Sequence, residues 1–148
     1  MNDRVELQTE VDAPRELIYP LLGTAEGLAT WLDSAELEAR VGAPVRLRLR
    51  DGVATGKILA VDEPQHISFT WDWQTEPLGR PSVVAFDAID HGSRTHVTIR
   101  QVGLRPDQVE LHQEMWRYWM KRFRAAAQAA TRQATAANAP ARKEAAQQ

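Results

Sequence analysis

The chain has 148 residues, 18 basic and 20 acidic side chains, a net charge of −2 and no cysteine. That length suits one domain of roughly 100–150 residues with a core of its own, and the balanced charge excludes a generic polyanion binder, which carries a clear basic excess. The lack of cysteine excludes disulfide frameworks, thiolate nucleophiles and cysteine zinc sites together.

Val5, Leu7, Thr9 and Val11 alternate with polar neighbours over residues 4–11, the period-two pattern of a half-buried strand. Asp12-Ala13-Pro14 reads as a helix start. An aspartate can accept the orphan amides of a first turn, and the missing N–H of a proline has no intrahelical partner there. Leu17, Ile18, Leu21 and Leu22 form an apolar stripe at helical spacing, and Pro20 inside it predicts a kink or an early end. Thr24 is placed to cap a second short helix carrying Leu28, Trp31 and Leu32.

Strands follow. Val45 to Arg50 alternates leucine with arginine, and Asp51-Gly52 is a hairpin turn signal. Residues 53–61 return as a strand in which Gly56 marks a bulge or a close backbone approach. After Asp62-Glu63-Pro64, residues 66–73 place Ile67, Phe69, Trp71 and Trp73 on one face. A loop with Pro77, Gly79 and Pro81 leads to the strand 82–90, and Asp90-His91-Gly92-Ser93 turns into the strand 94–102. Pro106 opens the longest element, a helix to about residue 131 with Met115, Trp116, Trp119, Met120, Phe123 and Ala127 on one face. At 1.5 Å per residue such a helix is roughly 40 Å long, enough to cross a sheet. The Ala/Gln-rich segment 133–148 has no bulky apolar residue to bury and reads as a flexible tail, so the domain is placed at 1–132.

The order is one strand, two short helices, about six antiparallel strands and one long helix, an α+β arrangement. The strands alternate, so one sheet face needs a cover, and only the long helix is large enough to supply it.

With these residues the chain resembles the START-like (SRPBCC) superfamily, whose helix-grip fold curves an antiparallel sheet around a carboxy-terminal helix. Within it the chain is similar to the family of the activator of heat-shock protein 90 ATPase, carboxy-terminal-domain type. The matching stretches are Val11-Asp12-Ala13-Pro14 with Leu17-Ile18, Gly27-Leu28-Ala29-Thr30-Trp31-Leu32, and Asp51-Gly52 with Gly56-Lys57-Ile58-Leu59-Ala60-Val61-Asp62-Glu63-Pro64. Ile67-Ser68-Phe69-Thr70-Trp71 and Gly92-Ser93-Arg94-Thr95 with Val97-Thr98-Ile99 complete them. Where the family carries Gly-Trp in its last helix, this chain has Met115-Trp116. Relatives include ligand carriers, polyketide cyclases and co-chaperones, so the fold alone selects no function.

The resemblance implies a cavity between sheet and helix. Strand parity and helical spacing put Trp31, Leu47, Leu49, Ile58, Phe69, Trp71, Trp73, Val84, Phe86, Ile99, Met115, Trp116 and Trp119 around it, with Gln101 as an orienting polar group near its mouth. Ser68, Thr70, Asp72, Asp87, Thr98 and Arg100 point outward by the same parity, which leaves no inward acid–base pair and argues against proton-transfer catalysis. His66, His91, His96 and His112 have neither ligand spacing nor an obvious carboxylate companion and are read as surface groups, so no metal and no cofactor is expected. Arg46, Arg48 and Arg50 read as a solvated outer stripe without interleaved aromatics for base stacking. Glu110 and Glu114 are placed to pair with the Arg117-to-Arg124 stretch.

The expected role is therefore a non-catalytic module holding a small apolar or aromatic molecule. A chaperone-associated interaction module and a small cyclase or hydrolase are the alternatives. A protein partner such as a chaperone is compatible with this reading; nucleic acid and membrane are not, and the expected state is a monomer or a weak homodimer. No run of about 18 apolar residues and no signal-like start occurs, so the expected location is the cytoplasm.

Overall fold

A computed structural model describes residues 3–147, with side chains for residues 3–137. Chain order is β1 (Arg4–Val11), α1 (Arg15–Ile18), α2 (Pro20–Gly23), α3 (Ala25–Leu28), β2 (Ser34–Leu37), β3 (Pro44–Leu49), β4 (Gly52–Asp62), β5 (His66–Trp73), β6 (Ser82–His91), β7 (Arg94–Val102) and α4 (Pro106–Gln147). The strands form one seven-stranded antiparallel sheet in the order β1-β7-β6-β5-β4-β3-β2. It wraps α4 in the α+β helix-grip arrangement that the resemblance implies.

The first helical stretch breaks at Pro20, as its sequence requires, with Tyr19 as the joint between α1 and α2. Thr24 caps α3, its hydroxyl oxygen accepting the Gly27 N–H at 2.9 Å. Asp12 does not cap α1. Pro14 occupies the N-cap without a side-chain bond, and Asp12 is exposed. Gly27 lies against α2 so closely that a β-carbon there would meet the Pro20 carbonyl oxygen at 1.8 Å.

Strand β2 lies where the sequence offers only Ala35 and Leu37 between polar residues, and it forms because β3 provides a partner from Val45 to Arg48. The register of β4 on β5 shifts between Ile58 and Ala60, and Gly56 two residues earlier is the close approach that its sequence predicts. A β-carbon on Gly56 would stand 1.7 Å from the Thr70 carbonyl oxygen. Helix α4 is longer than the expected 106–131. It continues without a break through residues 132–137, almost all exposed. Most of the segment 133–148 lies outside the residues with described side chains.

Parity holds across the sheet. Val45, Leu47, Leu49, Phe69, Trp71, Val84, Phe86, Val97 and Ile99 are buried on the face that receives Met115, Trp116, Trp119, Met120 and Phe123 of α4. No helix among the described residues is long and apolar enough to cross a membrane.

Candidate functional site

The residues expected to line a cavity do converge, and their rings interlock. Trp31 meets Phe86 at 5.9 Å and Phe123 at 5.4 Å, Phe69 meets Phe86 at 5.6 Å, and Trp116 meets Trp71 at 5.4 Å and Phe86 at 6.0 Å. These spacings are those of edge-on and tilted aromatic pairs, each adding about 0.5–1.5 kcal/mol beyond area burial. Leu47, Leu49, Ile58, Val84, Ile99, Met115 and Trp119 are buried in the same cluster. Trp73 alone of the expected lining residues is half-exposed, standing edge-on to Trp71 at 5.5 Å.

Gln101 is not at a mouth. It is fully buried and sits mid-way in a chain of hydrogen bonds. The Trp116 indole N–H donates to its Oε1 at 2.8 Å, its Nε2 donates to Ser82 Oγ at 2.8 Å, and the Ser82 hydroxyl donates to the Trp71 carbonyl at 3.2 Å. Each donor and acceptor is used once in a fixed direction, which orients the amide. Trp31 donates to the Leu21 carbonyl at 2.7 Å. The indole N–H groups of Trp71 and Trp119 are buried with no acceptor among the described residues.

Sequence reasoning missed His112, which is buried on α4. Its Nε2 accepts the Trp73 indole N–H at 3.2 Å and its Nδ1 donates to the Gln108 carbonyl at 2.9 Å. Burial lowers its pKa, opposed by the bond to Gln108 and by the charge of Asp51. The i,i+4 step from Gln108 and the inward side of α4 were the available signals. Beside this pair a cavity of about 180 Å³ opens to solvent, bounded by Arg50, Asp51, Trp73, Leu111, Glu114 and Met115.

The other histidines do have carboxylate neighbours. His66 Nδ1 lies 2.7 Å from Asp87 Oδ1, across the strand pair that joins them, and Glu10 bonds His91 Nδ1 and Arg94. These pairs lie on the outer sheet face, where cross-strand register rather than sequence spacing creates them. Arg50 leaves the expected outer stripe and places its guanidinium 4.1 Å from the centre of the Tyr118 ring. No group of three or more histidine or carboxylate side chains among the described residues is arranged to hold a metal ion.

The family described as "Activator of Hsp90 ATPase homolog 1-like protein" matches residues 12–128. The chain belongs to that family. No curated protein sequence matches it significantly. Among solved structures, protein MLL2253 from Mesorhizobium loti is similar at 23% identity and a TM-score of 0.73, covering 83% of this chain and 95% of that one. The Aha1 dimer from Colwellia psychrerythraea is similar at 16% identity and a TM-score of 0.70, covering 83% and 94%. An HSP90 activator from Plasmodium falciparum is similar at 19% identity and a TM-score of 0.61, covering 70% and 75%. At these identities the likenesses establish the helix-grip fold.

Proposed function

We propose that this chain is a non-catalytic START-like module that takes a small apolar or aromatic molecule between its sheet and α4, entering beside Trp73 and Met115. The observation that carries this reading is the pair of buried indole N–H groups on Trp71 and Trp119 without an acceptor among the described residues. A buried donor left unpaired costs about 1–3 kcal/mol, and a ligand with an acceptor atom offsets that cost. The cavity at Trp73, about 180 Å³, matches one aromatic ring, since a void of ~150 Å³ holds benzene. Covering ~100 Å² of ring face contributes about 2.5 kcal/mol. Micromolar binding needs about 8 kcal/mol, so a larger ligand has to separate Trp73, Trp71 and Trp116 and pack among them. The His112 ring uses both nitrogens on Trp73 and Gln108, which favours a binding role over acid–base chemistry there.

Titration with N-phenyl-1-naphthylamine tests the reading. Tryptophan emission is expected to be quenched at tens of micromolar probe, and Met115→Trp, which fills the entrance, is expected to remove the effect. Absence of quenching in the unaltered protein overturns it.

A second reading, a chaperone-associated interaction module, is favoured by the interlocked Trp31, Phe69, Phe86 and Trp116 rings together with the family description. Stimulation of the ATPase rate of a purified heat-shock protein 90 by the added chain supports that reading, and an unchanged rate removes it.

A further inference from the structure

Strand β1 is an outer strand of the sheet and pairs with β7 alone. Alternate N–H and C=O groups along its other edge therefore face no strand among the described residues, a ready template for a further strand. Helix α4 runs past this edge. Between them lie two adjoining grooves of about 500 and 560 Å³ that share Arg124. Leu7, Tyr118 and Met120 give the first an apolar lining.

The helix side of these grooves is basic. Arg117, Lys121, Arg124 and Arg132 recur with Gln128 at helical spacing, so they form one stripe along α4. Arg124 donates to Thr9 Oγ1 at 2.8 Å. Arg117, Lys121 and Arg132 are exposed and make no ion pair among the described residues, and the expected pairs with Glu110 and Glu114 do not form. Of the carboxylates lining the grooves, Glu10 is already ion-paired with Arg94 and hydrogen-bonded to His91. Only Asp12 and Glu114 remain against the stripe.

We propose that this groove docks an extended, acidic peptide segment of a partner protein, which adds to the free edge of β1 while its carboxylates meet Arg117, Lys121 and Arg132. The proposal rests on neither reading of the interior. An added strand uses the main-chain groups of β1 for affinity and its alternate side chains for selection. The span from Arg117 to Arg132 is about 22 Å at 1.5 Å per residue, which six or seven extended residues cover at about 3.4 Å each. Charge decides between partners. A second copy paired through the same edge would bring the basic stripe against itself, because a two-fold contact joins like to like, whereas an acidic strand neutralises it.

Fluorescence anisotropy of the full chain with a labelled seven-residue probe of alternating Glu and Val tests the proposal. Saturable binding is expected, at least tenfold weaker for Arg117→Glu/Lys121→Glu, absent for a probe of alternating Lys and Val, and lost when alternate probe nitrogens are methylated. Amide shifts on titration are expected along residues 5–11. Both substituted residues are exposed, and Arg117→Gln/Lys121→Gln gives a milder variant with the same direction of change should the reversal unfold the chain. No binding at 1 mM probe, equal binding of the Lys probe, binding indifferent to the substitutions or methylation, or sedimentation showing a dimer that occupies the β1 edge each overturns the proposal.

Discussion

The Trp73 indole N–H donates to Nε2 of His112 across 3.2 Å, while the Nδ1–H of the same ring donates to the Gln108 carbonyl at 2.9 Å. The two bonds together assign His112 as the neutral Nδ1–H tautomer. Protonating Nε2 would remove the acceptor that Trp73 uses and place a charge on a residue that is 1% exposed.

That relationship gives stability a pH dependence. The unfolded chain protonates His112 near the ordinary value of about 6.5, whereas the folded chain, through burial, resists protonation to lower pH. Between those values the unfolded state binds more protons, so stability rises with pH there. The His112 contribution is full above about pH 6.5 and is lost as pH falls toward the lowered folded value. The urea midpoint is expected to drop between pH 7.5 and pH 5, and His112→Gln to flatten the drop. Equal slopes in the two proteins would refute the assignment.

Gln101→Leu is expected to destabilise the fold by about 1–3 kcal/mol for each buried group left unpaired. The change leaves the Trp116 indole N–H without its acceptor and Ser82 Oγ without its donor. Urea unfolding measures the loss, and an altered emission maximum reports the change around Trp116. A stability equal to that of the unaltered protein would show that the chain of bonds contributes nothing.

The fold was largely legible because each device that sets it is local. Alternation in β3, β5, β6 and β7, the break at Pro20, the Thr24 cap and the apolar face of α4 all follow from residues within a few positions of each other. The misses share a different cause. Strand β2 owes its pairing to β3, His66 meets Asp87 through cross-strand register, and His112 is buried because Trp73 comes to it from another element. Parity places Gln101 inside, yet its partners Ser82 and Trp116 come from two different elements, so spacing does not show its role in binding them. Sequence placed the tryptophans together; whether their rings meet or leave room is a matter of rotamer and backbone separation, which periodicity does not encode.

Gly56→Ala is expected to destabilise by about 1–3 kcal/mol, the usual range for overpacking. The atom in the way is the Thr70 carbonyl oxygen, 1.7 Å from the added carbon, so relief requires β4 and β5 to separate. Gly79→Ala, with open space around the site but a positive φ of 96°, serves as the comparison, since it carries backbone strain without a clash. Urea midpoints rank the two, and a Gly56→Ala protein as stable as Gly79→Ala would contradict the close approach.

Removing residues 133–148 is expected to shift Tm by less than about 2 °C, because a change of 1 kcal/mol moves a domain of this size by roughly 2–8 °C and none of the described side chains in that segment belongs to the core. Among the described residues, Ala127 is the last fully buried one of α4, and Ala130 is the last that packs against the core. Residues 132–137 continue the helix with little burial. Ending the chain after Arg132 keeps the whole basic stripe beside β1, so peptide binding at the β1 edge should survive the truncation. Differential scanning calorimetry of the shortened protein decides the domain boundary: a drop of more than about 5 °C would place the segment after Arg132 among the elements that hold the fold together.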